Sequence, residues 1–466
     1  WTKGIDPKTG KPVDYDPNKD VQNFAIDWKG GTDVLKNACP DVHGGTNFWP
    51  PAFSQSSKLL YIAGNEGCAN ITPDPTAHVK GKFGGGNYVN EDRITSSLAV
   101  VDPATGKIFT EVACASAAQM EAAVSAASAA FPGWAATPLG ERQACLVAIA
   151  DRVDAHLEAL ARLVTLEQGK PLADARMEVG AIGYFLRHYA SVAMPVEVIE
   201  DSELKRIELH RSPLGVVAAI VPWNFPVLTA CNKLGAALLT GNTVVVKPAP
   251  TTPVATLYLG ELVRDLLPPG VLNIVTDQND LGAVLTGHPL VRKISFTGST
   301  ATGSKVMSSA AATLKRITLE LGGNDAGLVL DDCDPRTVAP RLFDAAFMNC
   351  GQVCIAMKRL YVHDSQYDAI CQELAALAEA CTVGPGSDDA HRLGPVQNKA
   401  KYDKLCGLID EARRHGRILA GGSVSDGGGY FIRPTIVADM PDDSRLVSEE
   451  QFGPILPVIR YTDLDE

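Results

Sequence analysis

Phe347-Met-Asn-Cys-Gly-Gln-Val-Cys-Ile-Ala356 sets two cysteines, Cys350 and Cys354, among small, polar and apolar neighbours with no carboxylate beside them. The nucleophile of cysteine chemistry is the thiolate, and thiols that react are activated by their surroundings. A lone cysteine in such company is more often a small core residue. The decapeptide therefore leaves both readings open. Three further stretches decide between them: V-P-W-N-F-P at 221–226, L-E-L-G-G-N at 319–324 and E-E-Q-F-G-P at 449–454.

Around these stretches lies an ordinary globular chain. Its 466 residues suffice for two or three domains. Hydrophobic residues make up 45% and charged residues 21%, which excludes a disordered or fibrous protein. A net charge of −12 argues against a nucleic-acid partner, since phosphate binding needs clustered Lys and Arg. No apolar run reaches the length of a membrane span, and no signal peptide opens the sequence. Residue 1 is Trp, so the chain reads as processed or partial. Eleven cysteines in this length do not form a disulfide framework; they point to reduced, cytoplasmic thiols. No metal-ligand set is predicted.

Residues 1–98 are rich in Gly, Pro, Asn and Asp, with turn residues about every ten positions, and read as short strands and loops. Beyond them the texture changes. Ser116 to Gln119 form a capping box that opens an alanine-rich helix. Amphipathic helices are predicted at about 139–168 and 171–192, then a strand excursion over Val196–Arg211. Buried-strand runs follow at Val216–Val221, Thr243–Lys247 and Lys293–Phe296, separated by helical segments such as Val254–Leu267. Strands alternating with helices predict an α/β fold with a mostly parallel sheet covered on both faces. From about 323 the pattern repeats.

The order and spacing of the four stretches resemble the aldehyde dehydrogenase superfamily over residues 99–466. The resemblance implies two parallel-sheet α/β domains: a Rossmann-like cofactor domain at 99–322, with a bridging excursion at 196–211, and a catalytic domain at 323–466. It implies NAD(P)-dependent oxidation of an aldehyde to a carboxylic acid in a homo-dimer or tetramer. Cys354 matches the family nucleophile, whose thiolate forms a thiohemiacetal and then a thioester; Cys350 does not match it. Asn224 matches the side-chain oxyanion donor, beside the backbone N–H of Cys354. Glu320, 34 positions before Cys354, matches the base for the deacylating water. With Leu319, Leu321 and two glycines around it, Glu320 is expected to be partly desolvated and its pKa raised. A glutamate at this position also favours a free acid product over transfer to coenzyme A.

For the cofactor, F-T-G-S-T-A-T-G at 296–303 follows a strand and opens a helix, where backbone N–H groups of Gly298 and Ser299 are placed to cradle a pyrophosphate. By the same resemblance Lys247 and Pro248 belong to the adenosine-ribose site and Glu450 and Phe452 to the nicotinamide-ribose site, with Trp223 and Leu321 among the cofactor contacts. One departure stands out. NAD-preferring members often carry a glutamate three residues after the lysine; here that residue is Pro250. NAD is the expected cofactor, with NADP open.

H-G-G-T-N-F-W-P-P-A-F-S at 43–54 and L-L-Y-I-A-G-N-E-G-C at 59–68 resemble a fragment of the quinoprotein alcohol dehydrogenases, periplasmic propellers that use pyrroloquinoline quinone and calcium. That resemblance places Asn47 near the quinone and implies a Cys39–Cys68 disulfide, but a segment this short closes no ring of blades. The changeover falls at S-L-A-V-V-D-P-A-T-G-K-I, 97–108, which suggests a chimaeric chain. Two alternatives to an aldehyde dehydrogenase follow: a non-catalytic chain that only binds nucleotide, or a quinone-dependent alcohol dehydrogenase fragment. Family members also continue well beyond the position of Glu466, so the chain by itself is expected to be poorly soluble and weakly active.

Overall fold

The computed structural model describes residues 97–463 apart from 425–427, and the backbone of five short strands between residues 35 and 90. The chain divides into two compact units, Trp1–Thr95 and Ser96–Glu466. In the first, Leu35–Ala38, Ala69–Thr72 and Asn87–Asn90 form a three-stranded antiparallel sheet, and Ala52–Phe53 pairs with Leu60–Tyr61. Among the described residues no four-stranded propeller blade is found, and the propeller-like reading of residues 1–98 is not supported. Asn47, Cys39 and Cys68 lie outside the described residues.

The second unit opens with a hairpin, Ser97–Asp102 against Lys107–Ala113. Its turn is the V-D-P-A-T-G-K segment. Asp102 Oδ1 accepts the Ala104 amide at 2.8 Å, and Gly106 adopts φ +67°. The helix Ala117–Ala136 begins as predicted: the Gln119 amide donates to Ser116 Oγ, and Gln119 Oε1 accepts the Ser116 amide. The helix expected at 139–168 is two helices, Leu139–Ala155 and Leu157–Gln168. The reason is local. His156 Nδ1 bonds the Arg152 carbonyl at 2.8 Å, the acceptor that a continuous helix reserves for the His156 amide, and that amide turns to Val153 instead. Gly169, at φ +94°, ends the second helix, and Leu172–Ser191 follows.

The excursion at 196–211 is an antiparallel hairpin, Glu197–Asp201 against Arg206–Leu209. Val198, Ile199, Leu204, Ile207 and Leu209 are all exposed on it.

Two five-stranded sheets carry the rest. The first comprises β1 (Val216–Ile220), β2 (Thr243–Lys247), β3 (Leu272–Ile274), β4 (Val291–Thr297) and β5 (Arg316–Glu320), parallel in the order 3-2-1-4-5. All five residues of β2 and four of the five in β1 are buried, as strands covered on both faces must be. The edge strand β5 alternates between exposed and half-buried residues. The order reverses between β1 and β4, and ligands of open α/β sheets bind beyond the strand ends at such a point. V-P-W-N-F-P leaves β1 there and Gly298 leaves β4.

The second sheet comprises β6 (Asp325–Val329), β7 (Met357–His363), β8 (Arg417–Ala420), β9 (Thr435–Ala438) and β10 (Ile455–Tyr461), in the order 6-7-10-9-8, with only the β8–β9 pair antiparallel. Its own core lies around Phe343, Leu360, Ile370, Leu374 and Leu456. Residues 321–324, which contain the two glycines of L-E-L-G-G-N, join the sheets.

Candidate active site

Cys354 stands on the link between a short 3₁₀ turn, Met348–Gly351, and β7. The approach to it is unusual backbone. Asn349, Cys350 and Gly351 are successively left-handed, at φ +50°, +59° and +70°. Two of these three are non-glycine residues held against their preference. At Gly351 a Cβ would sit 2.4 Å from the Gly453 carbonyl oxygen, so only glycine fits. The two cysteines part company here. Cys350 is buried, and burial pushes its thiol up to about 12; it stays protonated at neutral pH. Cys354 is partly exposed and lines a cleft of about 710 Å³.

Glu320, the last residue of β5, lines the same cleft, with Lys233, Ser295 and Thr297. The desolvation expected from Leu319 and Leu321 is not found: Glu320 is exposed, because it ends an edge strand whose side chains alternate outward. Lys233, from the helix Pro226–Leu239, is the more buried ionisable group. Its ammonium donates to Ser295 Oγ at 3.1 Å. Burial lowers its pKa to about 8, against the opposing pull of Glu320. Lys233 carried no signal in the sequence beyond being a lone lysine in an apolar helix.

Asn224 is buried. Its Nδ2 donates to the Gln352 carbonyl at 2.9 Å, which ties the W-N-F-P loop to the cysteine loop across 128 positions. One of its two amide hydrogens is thereby used and one is left. The Asn224 carbonyl in turn accepts from Lys170 Nζ at 2.8 Å and Asn349 Nδ2 at 3.2 Å. Lys170 is itself fully buried, paired with Glu178 at 2.7 Å and set 3.7 Å over the Phe225 ring. Lys358 does for the cysteine what Lys170 does for the asparagine: its buried ammonium donates to the Cys354 carbonyl at 2.7 Å and lies 3.7 Å from Glu450. Sequence inspection singled out none of Lys170, Glu178 or Lys358, because a charged residue far along the chain gives no sign of the carbonyl it will meet.

The predicted cofactor residues fall into clusters. Glu450 Oε1 accepts the Gly323 amide at 3.3 Å, and its carboxylate lies over Gly322, where a Cβ would come within 2.2 Å of Oε2. Trp223 and Phe452 meet edge to face, ring centroids 5.4 Å apart. Leu321 lies over Gly303, whose missing Cβ leaves room for it. Ser299 caps the helix Thr300–Ala311 and Gly298 precedes it; the first-turn amides carry a partial positive charge suited to a phosphate. Lys247 ends β2 with Pro248 buried behind it, and its ammonium pairs with Asp277 at 2.7 Å. A carboxylate over a glycine bed, a capped helix start and a lysine at a strand end fit a dinucleotide.

The sequence profile of the aldehyde dehydrogenase family matches residues 88–466, eleven residues earlier than the resemblance suggested. The chain belongs to the aldehyde dehydrogenase family. It is 44% identical over 371 residues to a Pseudomonas protein named "Probable aldehyde dehydrogenase", covering 79% of this chain and 76% of that one. It is 38% identical over 373 residues to the NADP⁺ succinate-semialdehyde dehydrogenase GabD of Escherichia coli, covering 79% and 77%. Among solved structures, the betaine aldehyde dehydrogenase of Staphylococcus aureus in complex with NAD⁺ matches with a TM-score of 0.78 and 31% identity, over 82% of this chain and 78% of that one. This aldehyde dehydrogenase is thus an NAD(P)-dependent enzyme that oxidises an aldehyde. The comparisons give no support to the quinoprotein reading of the N-terminal segment, and with it the chimaeric reading loses its basis. Among the described residues no helix is long and apolar enough to cross a membrane.

Proposed function

We propose that Cys354 is the nucleophile of this aldehyde dehydrogenase, Asn224 its oxyanion donor and Glu320 the base for deacylation. The observation that carries the reading is the contrast between the two cysteines: Cys354 opens onto a cleft it shares with Glu320, whereas Cys350 is buried and protonated. The Cys354 thiolate adds to the aldehyde carbonyl to give a thiohemiacetal. The spare N–H of Asn224 and the backbone N–H of Cys354 stabilise its oxyanion; a donor of this kind lowers a barrier by roughly 3–4 kcal/mol. A bound nicotinamide supplies the hydride acceptor, and the thioester remains on Cys354. Glu320 then takes a proton from the attacking water, in the cleft it shares with the Lys233 ammonium. The carboxylic acid leaves and the thiolate returns.

In the same reading residues 99–322, with the hairpin at 196–211, hold the cofactor and residues 323–466 supply the nucleophile. Gly298, Ser299 and Leu321 take the pyrophosphate end, Lys247 and Pro248 the adenosine ribose, and Trp223, Glu450 and Phe452 the nicotinamide ribose. The exposed apolar side chains of the hairpin support a homo-dimer or tetramer, since a bare apolar edge invites pairing. A thiolate mechanism suits a reducing, cytoplasmic compartment.

The test follows absorbance of the reduced nicotinamide with a panel of small aldehydes. Cys354→Ala abolishes turnover and Cys350→Ala largely retains it. An active Cys354→Ala variant beside a dead Cys350→Ala variant refutes the assignment.

A further inference from the structure

We propose that the cleft of Cys354 and Glu320 takes aldehydes that carry a carboxylate at their far end, and that Lys293 together with Lys233 receives that carboxylate. The inference rests on the reading above that Cys354 is the nucleophile.

The floor of the cleft follows from the alternation of two neighbouring strands. On β4 and β5, Ile294, Phe296, Ile317 and Leu319 pack into the core of the first sheet. The residues between them therefore face the other way. These are Lys293, Ser295 and Thr297 on β4 and Thr318 and Glu320 on β5, and all of them line the cleft. They form rungs, with Thr297 paired to Glu320, Ser295 to Thr318 and Lys293 to Arg316. The facing wall is the helix Pro226–Leu239, whose polar residues Thr229, Asn232 and Lys233 line the same cleft. The floor is open, with Thr318 exposed and Lys293 and Ser295 half-buried.

Two ammonium groups converge on the middle rung. Lys233 Nζ donates to Ser295 Oγ at 3.1 Å, and Lys293 Nζ donates to its rung partner Thr318 Oγ1 at 2.6 Å. Each bond uses one of the three N–H donors of an ammonium and leaves two. Among the described residues Glu320 is the one carboxylate that acts on Lys233, whereas Lys293 has Arg316 as its charged neighbour. Positive charge is thus in excess around the Ser295–Thr318 rung. Burial lowers the pKa of both lysines, and an anion seated between them favours their charged forms.

The spacing of the rungs fits a short bifunctional substrate. Cys354 stands at the strand ends, since its carbonyl lies beside Gly323, just past β5. From the Thr297–Glu320 rung there to the Ser295–Thr318 rung is two residues, about 6.6 Å at the rise of a strand. A short chain with an aldehyde at Cys354 and a carboxylate on the two ammoniums bridges that interval. A neutral alkyl tail in the same place would desolvate both ammoniums and the row of hydroxyls without giving them a partner.

The experiment compares kcat/KM for succinic semialdehyde and for butanal, which has a methyl group in place of the carboxylate, by absorbance of the reduced nicotinamide. The wild-type chain is expected to favour the semialdehyde at least about tenfold, Lys293→Met to shrink that ratio on the order of tenfold, and Lys293→Arg, which keeps the charge, to hold it within a few-fold. Titration calorimetry with succinate reads the same site without turnover, and Lys293→Met should bind it at least about tenfold more weakly than the wild type. A wild-type chain that oxidises butanal as efficiently as the semialdehyde overturns the proposal and leaves Cys354 as the nucleophile. An unchanged ratio in Lys293→Met overturns it as well. If the chain oxidises neither aldehyde, succinate binding decides: the proposal stands if Lys293→Met weakens it and falls if it does not. Cys354→Ala tests the nucleophile separately, through the loss of turnover with both aldehydes.

Discussion

Lys170→Met removes the ammonium that holds the Asn224 carbonyl, and its consequence can be worked from the contacts. Lys170 and Glu178 are completely buried and 2.7 Å apart. Burial depresses the Lys170 pKa in spite of the opposing Glu178 carboxylate, so desolvation outweighs the attraction within the pair. Replacing both partners of a buried pair by neutral groups should cost little. Breaking it is different. Without Lys170, Glu178 keeps one donor, the Leu228 amide at 3.3 Å, and must hold its charge in an apolar interior. Removing one member of a buried pair costs roughly 3–5 kcal/mol. Met preserves most of the side-chain volume, so this figure is mainly electrostatic. Urea unfolding followed by circular dichroism and by tryptophan fluorescence measures the loss and checks that the probes agree. Adding Glu178→Gln should restore part of it, with a coupling of at least about 1 kcal/mol. Because Asn224 loses its anchor, turnover of the folded protein should fall further than its stability explains. A Lys170→Met loss below about 1 kcal/mol, or strict additivity with Glu178→Gln, would refute the reasoning.

Glu320→Gln should form the thioester and stall, so stopped-flow absorbance shows one equivalent of reduced nicotinamide followed by slow turnover; full steady-state turnover counts against the base assignment. Gly322→Ala forces a Cβ to 2.2 Å from the Glu450 carboxylate, the mobile end of a side chain. Stability should change by less than about 1 kcal/mol while KM for the cofactor rises several-fold in initial-rate kinetics. For Lys233, the unfolded chain titrates near 10.4 and the folded one at about 8. Between those values the unfolded state binds more protons, so stability rises with pH by up to about 1.4 kcal/mol per unit. In urea titrations from pH 8 to 10, Lys233→Met should flatten that rise; an unchanged slope would show that the lysine is not desolvated.

Much of the fold was legible in the residues. Unbroken apolar runs such as T-V-V-V-K announce parallel strands buried on both faces, because only such strands lack a polar side. The break at His156 was not, since it depends on one imidazole reaching back to the Arg152 carbonyl. The burial of Glu320 was misjudged for a related reason. Its apolar neighbours lie beside it in the chain, but on a strand they point to the opposite face, and an edge position leaves the glutamate in the open.

The sequence by itself offered the residue types that the proposed chemistry needs and roughly where they fall: a cysteine after G-Q, an asparagine between Trp and Phe, a glutamate before two glycines. These follow from bond-making roles that few side chains can fill. Only the tertiary structure decided which of two cysteines opens onto the cleft, and which lysines hold the carbonyls of Cys354 and Asn224. Only it showed that Asp277 meets Lys247 thirty positions away. Those are facts of burial and of contact between distant segments, and a buried charge takes its meaning from the partner that the fold brings to it.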